Sequence, residues 1–307
     1  MNRALIGIVL LALVPALSDA QGLRERRERL QQLRDASRQE HPVAVPPGAT
    51  AIRNIDYGAD PVQRFDLYLP AHAAHAPVVF YVHGGGWANG DKTNPGVATK
   101  LEYWLANGYG VISSNYRMLP AAMPLEQAGD IAKAVAAAQR RAEEWQLDPG
   151  RFVLMGHSAG GHLVALLGAD PRLLAEAGAQ PVRGVVVLDS GALDVPALMN
   201  LPRVPKLYRD AFGADPAYWQ SASPQQRLVQ GATPMLLVCS STRRVPMPPC
   251  DEARRFAQRA DALGVATEVL PEPLDHGRIN HDLGLPSDYT ARVAAWIDRL
   301  TRALAAP

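Results

Sequence analysis

Short, wholly apolar runs recur along this chain. Pro77-Val78-Val79-Phe80-Tyr81-Val82, Phe152-Val153-Leu154-Met155 and Pro234-Met235-Leu236-Leu237-Val238-Cys239 place apolar side chains at successive positions, and further strand candidates begin at Gly110, Val185 and Thr267. A strand that is apolar on both faces is buried on both faces, as in a parallel sheet covered by helices. Between these runs the apolar positions take up a helical spacing, which predicts helices near 99–107, 125–146, 159–167, 251–263 and 288–304. Alternation of strand and helix in this order predicts an α/β architecture, a mostly parallel central sheet flanked by helices. Ahead of it, 53–57 and 63–69 alternate apolar and polar residues around Gly58-Ala59-Asp60-Pro61, which predicts an antiparallel hairpin.

Two regions break the pattern. Residues 193–230, after the sixth strand, are an insertion with weak periodicity, several prolines and a set of large apolar side chains, Leu198, Leu207, Tyr208, Phe212 and Trp219 among them. They are expected either to wall a binding site like a small lid or to pack on the sheet edge. At the start, Met1-Asn2-Arg3 is followed by an almost wholly apolar stretch from Ala4 to Leu17 and by Ser18-Asp19-Ala20. That length and those small residues predict a signal peptide over 1–20, cleaved after Ala20, with export to periplasm or medium; a retained anchor is the alternative. Residues 21–48 then form a charged arm, exposed as a helix or mobile, and a proline-rich strap, leaving 49–307 as the main domain.

Composition narrows the function. Lys and Arg number 31 against 30 Asp and Glu, and no basic stripe with interleaved aromatics is present, so a nucleic-acid partner is not expected. No cluster of cysteine, histidine and carboxylate has metal-ligand spacing, and the expected chemistry requires neither a metal nor another cofactor.

That chemistry resides in two glycine-rich turns. Gly156-His157-Ser158-Ala159-Gly160 lies between a buried strand and a buried helix. A serine on so sharp a turn is held in a strained backbone with its hydroxyl standing clear at the carboxyl end of the sheet. His83-Gly84-Gly85-Gly86-Trp87 comes directly after another apolar strand. Consecutive glycines let main chain approach a reacting group without Cβ obstruction, and fixed N–H groups suit a developing oxyanion. The amides of Gly85, Gly86 and Ala159 are the candidate donors, with His83 orienting the loop. Trp87, Tyr116 and Met118 are candidates for the pocket wall, and a neutral, small-to-medium ester is the substrate such a pocket suits.

With these two turns, Ser114-Asn115-Tyr116-Arg117 with Pro120, the helix-opening segment around Asp130 and His276-Gly277-Arg278-Ile279-Asn280 with Leu283-Gly284, the chain over roughly 50–300 resembles the α/β-hydrolase superfamily. Within it the match is to carboxylesterases of the hormone-sensitive-lipase and kynurenine-formamidase-like kind. The resemblance implies a serine esterase; an amidase, formamidase or peptidase would use the same atoms, and a non-catalytic binding protein on the same scaffold is the remaining alternative.

A serine nucleophile needs an imidazole base, and in this fold the order is nucleophile, acid, histidine. His276 and His281 alone come late enough, and His276, in the loop after the last strand, is favoured. The acid is expected after the run ending at Cys239, where the resembling family has Gly-x-x-Asp. Here Ser240-Ser241-Thr242-Arg243-Arg244-Val245-Pro246-Met247-Pro248-Pro249 carries no carboxylate. Asp251 is therefore nominated, with Glu252 and Asp275 as weaker candidates and a Ser–His pair without an acid still open. Asp251 also reads as a helix-capping residue. Cys239 and Cys250, the chain's two cysteines, bracket this segment. Their spacing and the predicted export suggest a disulfide across it; two independent core thiols are the alternative. Arg243 and Arg244 are read either as solvated or as facing an anionic substrate.

Overall fold

The computed structural model describes residues 42–302. The predicted signal peptide and the charged stretch after it lie outside them.

Eight strands form one sheet in the order β1-β2-β4-β3-β5-β6-β7-β8. β1 (Thr50–Asp56) and β2 (Arg64–Leu69) are the expected hairpin, and β2 runs antiparallel to β4 as well. From β4 onward every pairing is parallel. The parallel strands are β3 (Ala76–Val82), β4 (Gly110–Ser114), β5 (Leu147–His157), β6 (Gly184–Leu188), β7 (Met235–Ser240) and β8 (Thr267–Glu272). Each begins within a few residues of its predicted start, except β5. This strand is joined through a 3-10 turn, Ala142–Trp145, and begins earlier, at Leu147.

The continuous apolar runs are explained by two layers of core. On β3 and β5, Val78, Phe80, Phe152 and Leu154 face one cluster, while Val79, Tyr81, Val153 and Met155 face the other. Helices α1 (Gly96–Ala106), α2 (Pro124–Arg140), α3 (Ala159–Ala169), α4 (Arg172–Glu176) and, after the insertion, α9 (Pro249–Asp261), α10 (His276–His281) and α11 (Asp288–Thr301) cover these faces. The insertion holds four short helices, α5 (Val195–Met199), α6 (Lys206–Phe212), α7 (Pro216–Ser221) and α8 (Pro224–Arg227), each opened by a proline in or just before its first turn.

The strap at 42–48 is packed rather than free. Val43 is buried in the second core cluster, and its carbonyl accepts a bond of 3.0 Å from the Arg53 guanidinium. The expected loop at His276 is instead a short helix, α10. Asp275 starts it by accepting the Arg278 N–H at 2.8 Å, so that Asp275 is an N-cap and not a partner of the imidazole one residue on.

Candidate active site

β5 ends against α3 in a turn with no spare room. Ser158 has φ +56° and ψ −117°, a conformation that side-chain-bearing residues avoid and that costs on the order of 1–3 kcal/mol. Neighbouring groups hold it there. The Ser158 N–H donates to the Leu188 carbonyl at 2.9 Å, and the Ser158 carbonyl accepts from His162 N–H at 3.1 Å. The glycines on either side are required by approach. A Cβ on Gly156 would lie 2.3 Å from the Gly160 carbonyl oxygen, and one on Gly160 would lie 2.3 Å from that of Val82. Helix α3 can therefore start directly on the sheet edge only with these two residues.

The second glycine turn lies beside this serine. A Cβ on Gly84 would come 2.9 Å from the Ser158 Cβ. Gly85 (φ +120°) and Gly86 (φ +62°) adopt backbone that favours glycine, and the Gly85 carbonyl accepts from Asn89 N–H at 3.0 Å. His83 is stacked on Tyr116 with ring centroids 4.6 Å apart, and the Tyr116 hydroxyl donates to the His83 carbonyl at 3.0 Å. Beneath the turn, Arg117 forms a two-bond ion pair with Asp130 at 2.8 and 2.7 Å, which accounts for both of those sequence features.

Two of the three pocket candidates prove to be supports. Tyr116 is fully buried and Trp87 is 3% exposed, each packed into the core, while Met118 is half-buried against it. The Trp87 indole N–H donates to His162 Nδ1 at 3.2 Å, and the His162 Nε2–H donates to the Ala222 carbonyl at 2.7 Å. His162 thus ties the glycine turn, α3 and the insertion together. Burial pushes its pKa down to about 4, so it is the neutral imidazole that makes these bonds.

Ser158 Oγ lies 3.0 Å from His276 Nε2, and His276 Nδ1 lies 2.7 Å from Asp189 Oδ2. The three side chains come from the carboxyl ends of β5, β8 and β6. His281, at the far end of α10, is exposed and meets Thr99 through its carbonyl. His157 braces His276 from the other side: its Nε2–H donates to the His276 carbonyl at 2.9 Å. Burial first, and the neighbouring His276 second, push His157 down to about 3.

The carboxylate that meets His276 Nδ1 is Asp189, not the nominated Asp251. Asp251 sits on the outer face of α9, paired at 2.8 Å with Arg254, both side chains about half exposed. The preceding residue, Cys250, points inward to its disulfide with Cys239, and one helical step of about 100° turns Asp251 to solvent. Glu252 is buried, but it accepts the Asp194 N–H at 2.9 Å and so braces α9 against the insertion. Asp189, absent from the candidates drawn from sequence, directly follows β6. Its signal is a carboxylate at the end of the run Val185-Val186-Val187-Leu188, one strand from the serine.

Asp189 is fully buried and has φ +48°. Burial alone would raise its pKa. The bond to His276, the charge of Arg243 and the Ser240 N–H at 2.8 Å outweigh burial and hold the carboxyl below its usual range. Arg243 is therefore engaged with Asp189 and is not solvated, whereas Arg244 is exposed.

A groove of about 640 Å³ borders the site, lined by Leu201, Pro205, Leu207, Tyr208, Val245 and Pro246 along with Pro202 and Arg203. Leu207 reaches over the glycine turn, since a Cβ on Gly86 would meet its Cδ1 at 2.2 Å. Leu207 and Val245 are 44% and 76% exposed, an apolar surface left open to solvent. Among the described residues no group of histidine, cysteine and carboxylate side chains is arranged to hold a metal ion, and no helix is long and apolar enough to cross a membrane.

The sheet order and its flanking helices are those of the α/β-hydrolase fold. The BD-FAE family model matches residues 65–182. Esterase LipC of Mycobacterium tuberculosis is 31% identical over 229 residues, 69% of this chain and 55% of LipC. Isoprenylcysteine alpha-carbonyl methylesterase ICME of Arabidopsis thaliana is 27% identical over 76% of this chain and 57% of its own length. The chain thus spans little more than half of these two relatives. Carboxylesterase NlhH of M. tuberculosis, at 25% identity, is matched over 92% of this chain and 91% of that protein. Among solved structures, esterase B from Lactobacillus rhamnosis superposes with a TM-score of 0.68 at 23% identity, covering 94% of this chain and 95% of that one. The chain belongs to the α/β-hydrolase superfamily and is similar within it to carboxylesterases of the hormone-sensitive-lipase type.

Proposed function

We propose that the protein is a serine esterase that cleaves carboxylic esters through an acyl-enzyme. The observation that carries this reading is the chain Ser158 Oγ to His276 Nε2 at 3.0 Å and His276 Nδ1 to Asp189 Oδ2 at 2.7 Å. Asp189, held ionised, accepts the Nδ1–H and so leaves Nε2 free to take the serine proton. Ser158 then attacks the ester carbonyl. The amides of Gly85, Gly86 and Ala159 receive the oxyanion, aided by the amino end of α3. His276 passes the proton to the leaving alcohol, then activates water to release the acid. The esterase names of LipC, ICME and NlhH support the same reaction class.

The open apolar groove under Leu207 and Val245 suits the uncharged arm of the ester. Export is proposed from the N-terminal pattern and agrees with the Cys239–Cys250 disulfide, since such bonds persist in oxidising compartments.

A fluorophosphonate probe tests the reading. Peptide mapping of the labelled protein is expected to find the adduct on Ser158, and Ser158→Ala is expected to take up none. Labelling absent from the wild type, or on another residue, contradicts it. A panel of esters of graded acyl length, run beside matched anilides, separates esterase from amidase or peptidase.

A further inference from the structure

We propose that Arg243 is a positioning residue of this site, fixing Asp189 and tempering the negative charge that Asp189 presents to His276. The inference rests on the reading of Ser158, His276 and Asp189 as the catalytic triad of an esterase.

Arg243 lies on the segment after β7 where the acid is expected from sequence. Instead of supplying a carboxylate, that segment reaches back to one. Arg243 Nε donates to Asp189 Oδ2 at 3.0 Å, and a terminal nitrogen of the same guanidinium donates to the Asp189 carbonyl at 3.3 Å. Side chain and main chain of one residue are thus held by one planar group, at a position whose φ of +48° has to be held. Oδ2 is also the atom that accepts from His276, so the imidazole and the guanidinium share it. The Arg243 side chain is 17% exposed and the Asp189 side chain not at all, so water screens this pair weakly.

The same segment braces the base. Arg243 N–H donates to Ser240 Oγ at 3.1 Å, and that hydroxyl donates at 2.6 Å to the carbonyl of Leu274, two residues before His276. The Cys239–Cys250 disulfide closes the segment at its foot.

A cation beside the shared oxygen makes an imidazolium less favourable on the other side of it. Without Arg243, the whole carboxylate charge acts on His276, and the imidazole keeps its proton to higher pH. The other titratable groups around this pair are His157 from the elbow, Tyr208 from α6 and Tyr289 from α11, with Lys100 and Glu252 behind them. Both tyrosines have raised pKa values and keep their protons in the range concerned, whereas burial brings Lys100 down and Glu252 up to about 7, a background common to all three proteins.

The test compares wild type, Arg243→Gln and Arg243→Lys. NMR titration of the His276 ring reads the effect without turnover, so it remains decisive even for a protein that hydrolyses no ester. Absence of probe labelling in the wild type reports failure of the esterase reading separately. In Arg243→Gln the His276 midpoint is expected to rise by about one pH unit. The acid limb of kcat/KM for a neutral ester moves with it, and kcat falls by roughly 10- to 100-fold with KM within about twofold. An unmoved midpoint overturns the proposal, as does a loss confined to the KM of anionic esters. Arg243→Lys keeps the charge but not the planar fork, and carries the test if the glutamine variant does not fold. Its midpoint is expected within about 0.3 unit of wild type and its kcat several-fold lower. An unchanged kcat in that variant, or a midpoint displaced as in Arg243→Gln, overturns the proposal.

Discussion

The elbow between β5 and α3 and the segment after β7 are built on opposite principles. At the elbow everything is local: the strained serine, the two glycines that clear a path for it and the start of the helix that follows lie within five consecutive residues. The segment from Ser240 to Pro249 owes its form to distant partners, Asp189 on one strand end, Leu274 before the base and a disulfide at its foot. The first is fixed by sterics that allow few residue types. The second is fixed by reach, and reach can be met from more than one strand end.

The strongest way to break the elbow is to remove its hydroxyl. Ser158→Ala is expected to lower kcat for an ester by roughly 10⁴-fold or more while thermal melting stays close to wild type. Retention of more than a few per cent of activity would remove the basis of the comparison.

Opening the other region acts on stability. Replacing both cysteines with serine frees a short ring and is expected to cost about 3 kcal/mol in the chain-entropy model, read from urea unfolding at neutral pH. Activity should fall with it, because the segment holds Arg243 and Ser240 on Asp189. Unchanged stability and activity together would mean that the ring needs no clasp.

The elbow's inner side has a pH signature. His162 is buried and neutral with its pKa lowered to about 4, whereas in the unfolded chain it titrates near its ordinary 6.5. Between those values the unfolded state binds more protons, so stability is intact above about 6.5 and falls as the pH drops towards 4. The loss attributable to this residue is up to about 3 kcal/mol, and His162→Gln should flatten that part of the stability profile. An identical slope in the variant contradicts the assignment.

The same contrast explains how much of the molecule is legible in its sequence. Apolar runs locate the strands because a doubly covered sheet imposes continuous burial, and the two glycine turns announce themselves because backbone crowding restricts residue type. His276 follows from chain order and the end of the last strand. Asp189 does not, because the expectation is tied to β7, and its one signal, a carboxylate ending the run 185–188, is shared by any aspartate that ends a strand. Trp87 and Tyr116 are misjudged for a related reason. A large ring next to a glycine turn can line the site or support it, and only packing against His162, Phe212 and His83 decides for support. Asp251 is misplaced by one helical step, since its neighbour Cys250 takes the inward direction.

The central claim is that the carboxylate behind His276 comes from the end of β6. Measuring kcat/KM for one ester with Asp189→Asn and Asp251→Asn, side by side, tests it most directly. A drop of about 10³- to 10⁴-fold for the first and a change within about twofold for the second is the predicted result. A crippled Asp251 variant beside a nearly normal Asp189 variant would contradict the account.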